Sequence, residues 1–290
     1  MHTSSNQLYG PSRWGWALLL FIVVTAVFLR FYQLGHVPPG LYRDEAANGL
    51  DALTVLHGRF PLFFPANNGR EPAYIYLTAA AIAVLGRSAT AVRLAAAVVG
   101  ALTTLVVFGL GRAWFGQRVG LLAAWLWAVT VWSVHLSRIG LRVVLMVPLL
   151  VLAFWLGTLA YRRQKWWLWL TAGLVYGAGF YTYLAMRFTP LLLLALLAYL
   201  LWQRQGARLW PGAAWFALGT AVALLPLGTL FLQDPALILG RTGQVSVLNT
   251  AVNGGDLWGT LVRQIGRALG MFLWRGDDIL RHNPAGRPVF

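Results

Sequence analysis

Apolar runs long enough to cross a bilayer recur along most of this chain, and that recurrence limits its possible folds more than any other feature. The runs cover residues 15–34, 73–86, 94–111, 119–134, 143–161, 166–185, 188–202 and 211–232. A helix rises 1.5 Å per residue, so about 20 residues cover roughly 30 Å of hydrocarbon. Backbone polar groups in that layer must be paired internally, which leaves helices or closed barrels, and runs of this length suit helices. Composition agrees: 59% of the residues are hydrophobic and 11% charged, which excludes a soluble cytosolic enzyme and a disordered chain. The absence of cysteine excludes disulfide frameworks, iron–sulfur clusters and thiol nucleophiles. Lys+Arg number 23 against 8 Asp+Glu, a net charge of +15. The basic residues sit between apolar blocks, so they read as membrane flanks and not as a nucleic-acid surface.

The 73–86 block would reach only about 21 Å by the same rise. It follows Pro72 and carries Tyr74 and Tyr76, which suit an interface, so we read it as a re-entrant or interfacial helix. The 188–202 block is also short, but Trp202 and Arg204 anchor its end, and it is kept as a span. Seven crossings result. Arg13, Arg112 with Arg118, Arg162 with Arg163 and Lys165, and Arg204 with Arg208 then share one side without an acid among them. The positive-inside rule makes that side cytoplasmic. All the acids fall outside: Asp44, Glu45, Asp51 and Glu71 in the first loop, and Asp234, Asp256, Asp277 and Asp278 in the tail. The expected fold class is an all-α, polytopic transmembrane bundle with juxtamembrane helices in an external loop. Residues 1–232 form the membrane domain, with the loop at 35–93. Residues 233–290 form a second external loop with an amphipathic stretch at 257–274, and the apolar end Pro288-Val289-Phe290 suggests further spans. Gly173 and Gly177 form a small-xxx-small pair for close helix packing.

Three constellations can carry chemistry. The first is Tyr42-Arg43-Asp44-Glu45-Ala46-Ala47-Asn48, at the start of a helical stretch closed by Gly58. Glu45, Asn48 and Asp51 recur at i, i+3 and i+6 and make one polar stripe. Adjacent carboxylates beside a membrane suit general-base work or cation binding; the structural alternative is that Asp44 caps the helix and Glu45 favours its dipole. The second is Arg70-Glu71-Pro72, where the proline holds Glu71 extended at the mouth of the short helix. Glu71 either faces the same cavity as Asp44 or pairs with a loop arginine such as Arg70. The third combines two turns. His135, Arg138 and Arg142 share a face if the helix continues through them, and Tyr183 lies one turn from Arg187 in the other. These arginines break the sidedness rule, which marks functional candidates; snorkelling to headgroups is the alternative. Five scattered histidines argue against a His-based metal site.

An external Asp-Glu pair after the first span, followed by a Pro-initiated aromatic helix, resembles the GT-C membrane glycosyltransferases. The branch it is most similar to is that of the protein O-mannosyltransferases and lipid A aminoarabinose transferases. Gly111-Arg112-Ala113-Trp114-Phe115-Gly116 and Ser137-Arg138 add to the likeness. It extends over roughly residues 30–187, and over the later spans by layout alone. Where the family carries a basic residue or His before a Pro-Pro pair, this chain has Arg70-Glu71-Pro72-Ala73. The resemblance implies an integral plasma-membrane enzyme. It would move a sugar, with inversion, from a polyprenyl-phosphate donor to a hydroxyl-type acceptor (protein, lipid or glycan) at the external face. Asp44 matches the family's catalytic acid, with Glu45 beside it. Arg70, Glu71, His135, Arg138, Arg142, Tyr183 and Arg187 are the substrate-binding candidates. A divalent cation is possible, although one acidic pair supplies few ligands. The rival readings are a transporter or flippase for an anionic or lipid-linked substrate, and an inactive fragment of an enzyme.

Overall fold

The computed structural model describes residues 12–276, 279, 282 and 283. Asp277, Asp278, the Pro288-Val289-Phe290 end and the side chain of Arg208 lie outside them. The helices, in chain order, are α1 (Arg13–Phe31), α2 (Arg43–Leu56), α3 (Ala73–Leu85), α4 (Ala89–Phe115), α5 (Gln117–Val129), α6 (Val131–Arg138), α7 (Val143–Arg163), α8 (Trp166–Gly179), α9 (Thr189–Trp202), α10 (Gly206–Gln233), α11 (Pro235–Val245), α12 (Thr250–Asn253) and α13 (Leu257–Gly270). No strand occurs among the described residues. The protein is an all-α, polytopic membrane bundle, as its sequence suggests.

Local chemistry sets the helix ends. The Ser12 hydroxyl accepts from Gly15 N, and that of Ser88 accepts from Ala91 N, satisfying donors that an opening helix leaves unpaired. Gly116, at φ +90°, ends α4 in a conformation that L side chains rarely adopt. Five described stretches are long and apolar enough to cross a membrane: α1, α4, α7, α10, and α9 extended by the 3₁₀ turn Leu184–Phe188. A sixth is the α5–α6 pair, bent by 54° at Thr130.

Of the seven expected spans, α8 is the one below this length, since it stops at Gly179 after 14 residues, although it leads from the end of α7 to Tyr181, whose carbonyl accepts from Ala73 N in the first loop. The Thr182 backbone N–H and hydroxyl both turn back to the Gly179 carbonyl, which closes a turn where the sequence pattern continues to Ala185. The 3₁₀ turn has the opposite effect on α9, lengthening a block that looked short. Leu191, Leu194 and Leu225 on α9 and α10 are exposed, the arrangement expected of side chains facing lipid.

Two packed groups make the bundle. In the first, Leu19, Ile22 and Ala26 of α1 meet Phe108 of α4 and Ala124 and Ala128 of α5. The second joins α7, α8 and α10 through Ala160, Leu168, Trp169 and Leu209. There Gly173 and Gly177 bring α8 against α10: a Cβ on Gly173 would lie 2.1 Å from the Phe216 carbonyl oxygen, and one on Gly219 would lie 2.2 Å from that of Leu170. The small-xxx-small pair therefore marks a real helix contact. The loop helices form a separate cluster, in which Ile75, Ala79 and Ile82 of α3 pack on Ala52 and Val55 of α2 and on Ala91 and Val92 of α4. With 13 residues, α3 sits under α2 as a supporting helix.

Candidate active site

α2 carries the polar stripe anticipated from spacing, and the stripe turns inward. Glu45 is buried. Its Oε1 accepts from Arg93 Nε at 2.8 Å and from Gly140 N at 3.0 Å, and its Oε2 accepts from Tyr42 N at 3.0 Å. Tyr42 is the N-cap, so Glu45 and not Asp44 makes the local capping contact. One turn on, Asn48 donates to the Gly140 carbonyl at 2.8 Å and accepts from Arg70 NH1 at 3.1 Å. Asp51 pairs with Arg70. Glu45 and Asn48 together hold the 139–142 turn from both its N–H and its C=O, and Arg70 locks the Phe64–Arg70 β-bridge onto α2.

Arg93, buried in the second turn of α4, also donates to the carbonyls of Leu34 and Pro38 at 3.2 and 2.8 Å, and to that of Gly40. One guanidinium thus ties the exit from α1 to the acidic helix.

Asp44 lies off this stripe. It is half-buried and accepts from Asn67 Nδ2 at 2.9 Å. Its charge acts on Arg70 and on Arg142, where it opposes the burial that lowers both guanidinium pKa values. Asp51, in the same group, has its carboxyl pushed above the usual aspartate range, because burial outweighs its pairing with Arg70.

Glu71 is buried where the loop enters α3, and two arginines converge on it. Arg142 NH1 lies 2.7 Å from its Oε2 and Arg187 NH2 lies 3.3 Å from its Oε1. The Arg142 guanidinium sits over the Tyr183 ring, 5.9 Å from its centroid, and Arg187 also donates to Thr242 of α11 at 2.8 Å. The Ala73 N–H donates to the Tyr181 carbonyl, which fixes the mouth of α3 to the turn after α8. Asp44, Arg70, Glu71, Arg142, Tyr183 and Arg187 therefore form one neighbourhood. It is drawn from two loops and a turn that are far apart in sequence.

Arg138 does not join it in the expected way. The helix does not continue through Arg142: α6 ends at Arg138, and Ile139 is extended before Gly140. The Arg138 guanidinium instead donates to the carbonyls of Leu29, Tyr32 and Val37 at 2.8, 2.7 and 2.9 Å, capping the C-terminus of α1. His135 is half-buried one turn earlier on α6.

Sequence reasoning passed over Arg30 and Arg93, both fully buried. A lone arginine inside an apolar run was the available signal, since such residues rarely face lipid. Asn67, the partner of Asp44, gave none.

Among the described residues no group of three or more His, Asp and Glu side chains could hold a metal ion. Glu45 is turned into the Arg93 pair, so Asp44 and Glu45 do not form a joint ligand set.

The helical bundle has counterparts of known structure. An archaeal oligosaccharyltransferase, AglB from Archaeoglobus fulgidus, in complex with an inhibitory peptide and a dolichol-phosphate, superimposes with a TM-score of 0.63 at 18% identity. That match covers 89% of this chain and 37% of the other. The apo form of the Archaeoglobus fulgidus oligosaccharyltransferase gives a TM-score of 0.63 at 19% identity, over 95% and 35%. The chain thus spans a little over a third of the length of these proteins. The likeness to these proteins is one of fold. The dolichyl-phosphate-mannose-protein mannosyltransferase family matches residues 69–231, more than half of the sequence, and the chain belongs to that family. The matched segment includes Arg70, Glu71, Arg138, Arg142, Tyr183 and Arg187; Asp44 precedes it. No curated protein matches the sequence.

Proposed function

We propose that this protein transfers a sugar, with inversion, from a polyprenyl-phosphate donor to an acceptor hydroxyl at the external face of the plasma membrane. The observation that carries the reading is Asp44 held beside an arginine pair that shares a single carboxylate. In the reaction the acceptor oxygen attacks the anomeric carbon, its proton passes to Asp44, and the bond from that carbon to the phosphate oxygen breaks. The leaving lipid phosphate takes the bonding electrons. Two guanidiniums converge on Glu71, and a phosphate is an anion whose geometry fits such forks. Fixed cations aimed at a developing anion lower the barrier because they need no reorganisation as the charge appears. Tyr183, under Arg142, lines the same place. Family membership and the dolichol-phosphate in the AglB structure support a lipid-linked donor; the peptide in that structure makes a protein the first acceptor to try.

The reading is tested by supplying the full chain in detergent with a short-chain polyprenyl-phosphate hexose and, separately, a nucleotide hexose. Transfer is expected from the lipid donor only, to a product of the opposite anomeric configuration by NMR. Retained configuration, or transfer from the nucleotide sugar, would overturn it. Sidedness has its own test: single cysteines at position 50, where Leu50 is exposed, and at position 164, probed in intact cells with an impermeant thiol reagent, should label at 50 alone.

A further inference from the structure

α13 is built inside out. Trp258, Val262, Ile265 and Leu269 recur at i, i+4, i+7 and i+11, which is one stripe on a helix of 3.6 residues per turn. They are 74%, 68%, 51% and 66% exposed, whereas Thr260, on the opposite side, is the residue that the helix buries. Phe272, Leu273 and Trp274 extend the exposed apolar surface beyond the last turn. An apolar stripe of this length left in water is unfavourable, and it marks a contact with something apolar.

The helix also sits at a telling depth. Its C-terminal half faces Trp132 across an open cavity of about 570 Å³ that Gln264, Arg267 and Trp274 help to line. The neighbour of Trp132 is Ser133, whose hydroxyl accepts from Arg30 in the last turn of α1. α13 therefore lies level with the end of a membrane span. The charged residues within α13 are Arg263 and Arg267, both on the face away from the stripe; the N-cap Asp256 is paired with Arg263, and beyond the last turn Arg275 is followed in sequence by Asp277 and Asp278. Trp258 and Trp274 bracket the stripe, and indoles favour the headgroup boundary.

We propose that α13 is an in-plane membrane anchor. Its apolar stripe rests in the acyl boundary of the leaflet, and its arginines lie among anionic headgroup phosphates. An amphipathic helix with a basic polar face and tryptophans binds a lipid surface in this way. The anchor fixes the segment after α10, and with it Thr242 on α11, the partner of Arg187, at the membrane surface.

The chain has no cysteine, so single spin labels can be placed on the full protein in lipid nanodiscs at Val262→Cys, Ile265→Cys and Arg263→Cys. Accessibility to oxygen, which concentrates in lipid, is compared with accessibility to a water-soluble nickel chelate. Labels at 262 and 265 should favour oxygen several-fold over the label at 263. Adding phosphatidylglycerol to phosphatidylcholine discs should raise that preference further. Nickel access at 262 and 265 equal to that at 263 would overturn the proposal, as would shielding from both reagents, which would mean that a further protein segment or a second copy covers the stripe. An identical profile in the two lipids would overturn the headgroup contact.

Discussion

Arg142 and Arg187, which reach the site from separate turns of the chain, grip opposite oxygens of the buried Glu71 carboxylate at 2.7 and 3.3 Å. The carboxylate holds both forks at one point before any substrate arrives. Removing it leaves two largely buried cations facing each other. Glu71→Gln should therefore lower stability in detergent by about 3–5 kcal/mol. Pairing it with Arg142→Gln should recover part of that loss, with a coupling of about 0.5–3 kcal/mol in a double-mutant cycle. Additive losses would show that the pair does not interact.

Arg30 and Arg138 clamp each other's helices. Arg30, on α1, donates to the carbonyls of Trp127 and Ala128 at the end of α5, at 3.1 and 3.0 Å, and to the hydroxyls of Ser133 and Ser137. Arg138, on α6, donates to the last carbonyls of α1. Cations at helix C-termini are favoured by the aligned carbonyl dipoles, so neither needs a carboxylate. The clamp holds the 54° bend of α5–α6. Arg30→Lys keeps the charge but cannot span these acceptors, and should cost about 1.5–3 kcal/mol of thermal stability. A melting temperature equal to the wild type would refute the clamp.

Much of this architecture was legible in the sequence because its signals are local. Apolar length gave the long spans, Pro72 marked the start of α3, and the i, i+3, i+6 spacing found the stripe on α2; Tyr74, read as suiting an interface, is instead buried and donates to the Val92 carbonyl. The arginine contacts were not legible, because their partners are backbone carbonyls of remote segments. Any residue presents a carbonyl, so the Arg30 and Arg138 clamps leave no sequence pattern. Arg138 was grouped with Arg142 on the assumption of a continuing helix, which the extended Ile139 breaks. Within α2, spacing identified the stripe but could not say that it faces inward, since a polar face reads the same towards solvent and towards a buried arginine.

The α8–α10 contact depends on close backbone approach. A side chain at Gly173 would collide with the Phe216 carbonyl, and the Thr220 hydroxyl donates to the Gly173 carbonyl at 3.2 Å across the same seam. Gly173→Val should force the helices apart and cost about 1–3 kcal/mol. Gly157→Ala, inside α7 where the added Cβ meets nothing within 4 Å, is the control and should melt at or slightly above the wild-type temperature.

Asp51 gives a pH signature. Burial raises its carboxyl pKa above the unfolded value despite the Arg70 pair, so the folded state holds this proton more tightly. The resulting stability is fully present below the unfolded pKa and is lost as pH rises through the folded one. The melting temperature of the wild type relative to Asp51→Asn should therefore climb as pH falls from about 7 to about 4. A difference that shrinks over that range would reverse the assigned sign.

Asp44 and Glu45 are adjacent yet should fail differently. Glu45 has its oxygens committed to Arg93, Gly140 and Tyr42. Glu45→Gln leaves the Arg93 guanidinium buried without its counter-charge, which should cost about 3–5 kcal/mol of stability. Activity should then fall only with the folded fraction. Asp44 is the acid outside that framework, held by Asn67 at 2.9 Å. Asp44→Asn preserves the shape and the Asn67 contact, so melting temperature and donor affinity should hold while turnover drops about 10²–10⁴-fold, the usual contribution of a general base. Donor binding by calorimetry, transfer rate and thermal melting on both variants separate the two roles. Wild-type turnover in Asp44→Asn would remove it as the base, and an unperturbed melting temperature in Glu45→Gln would remove the clamp.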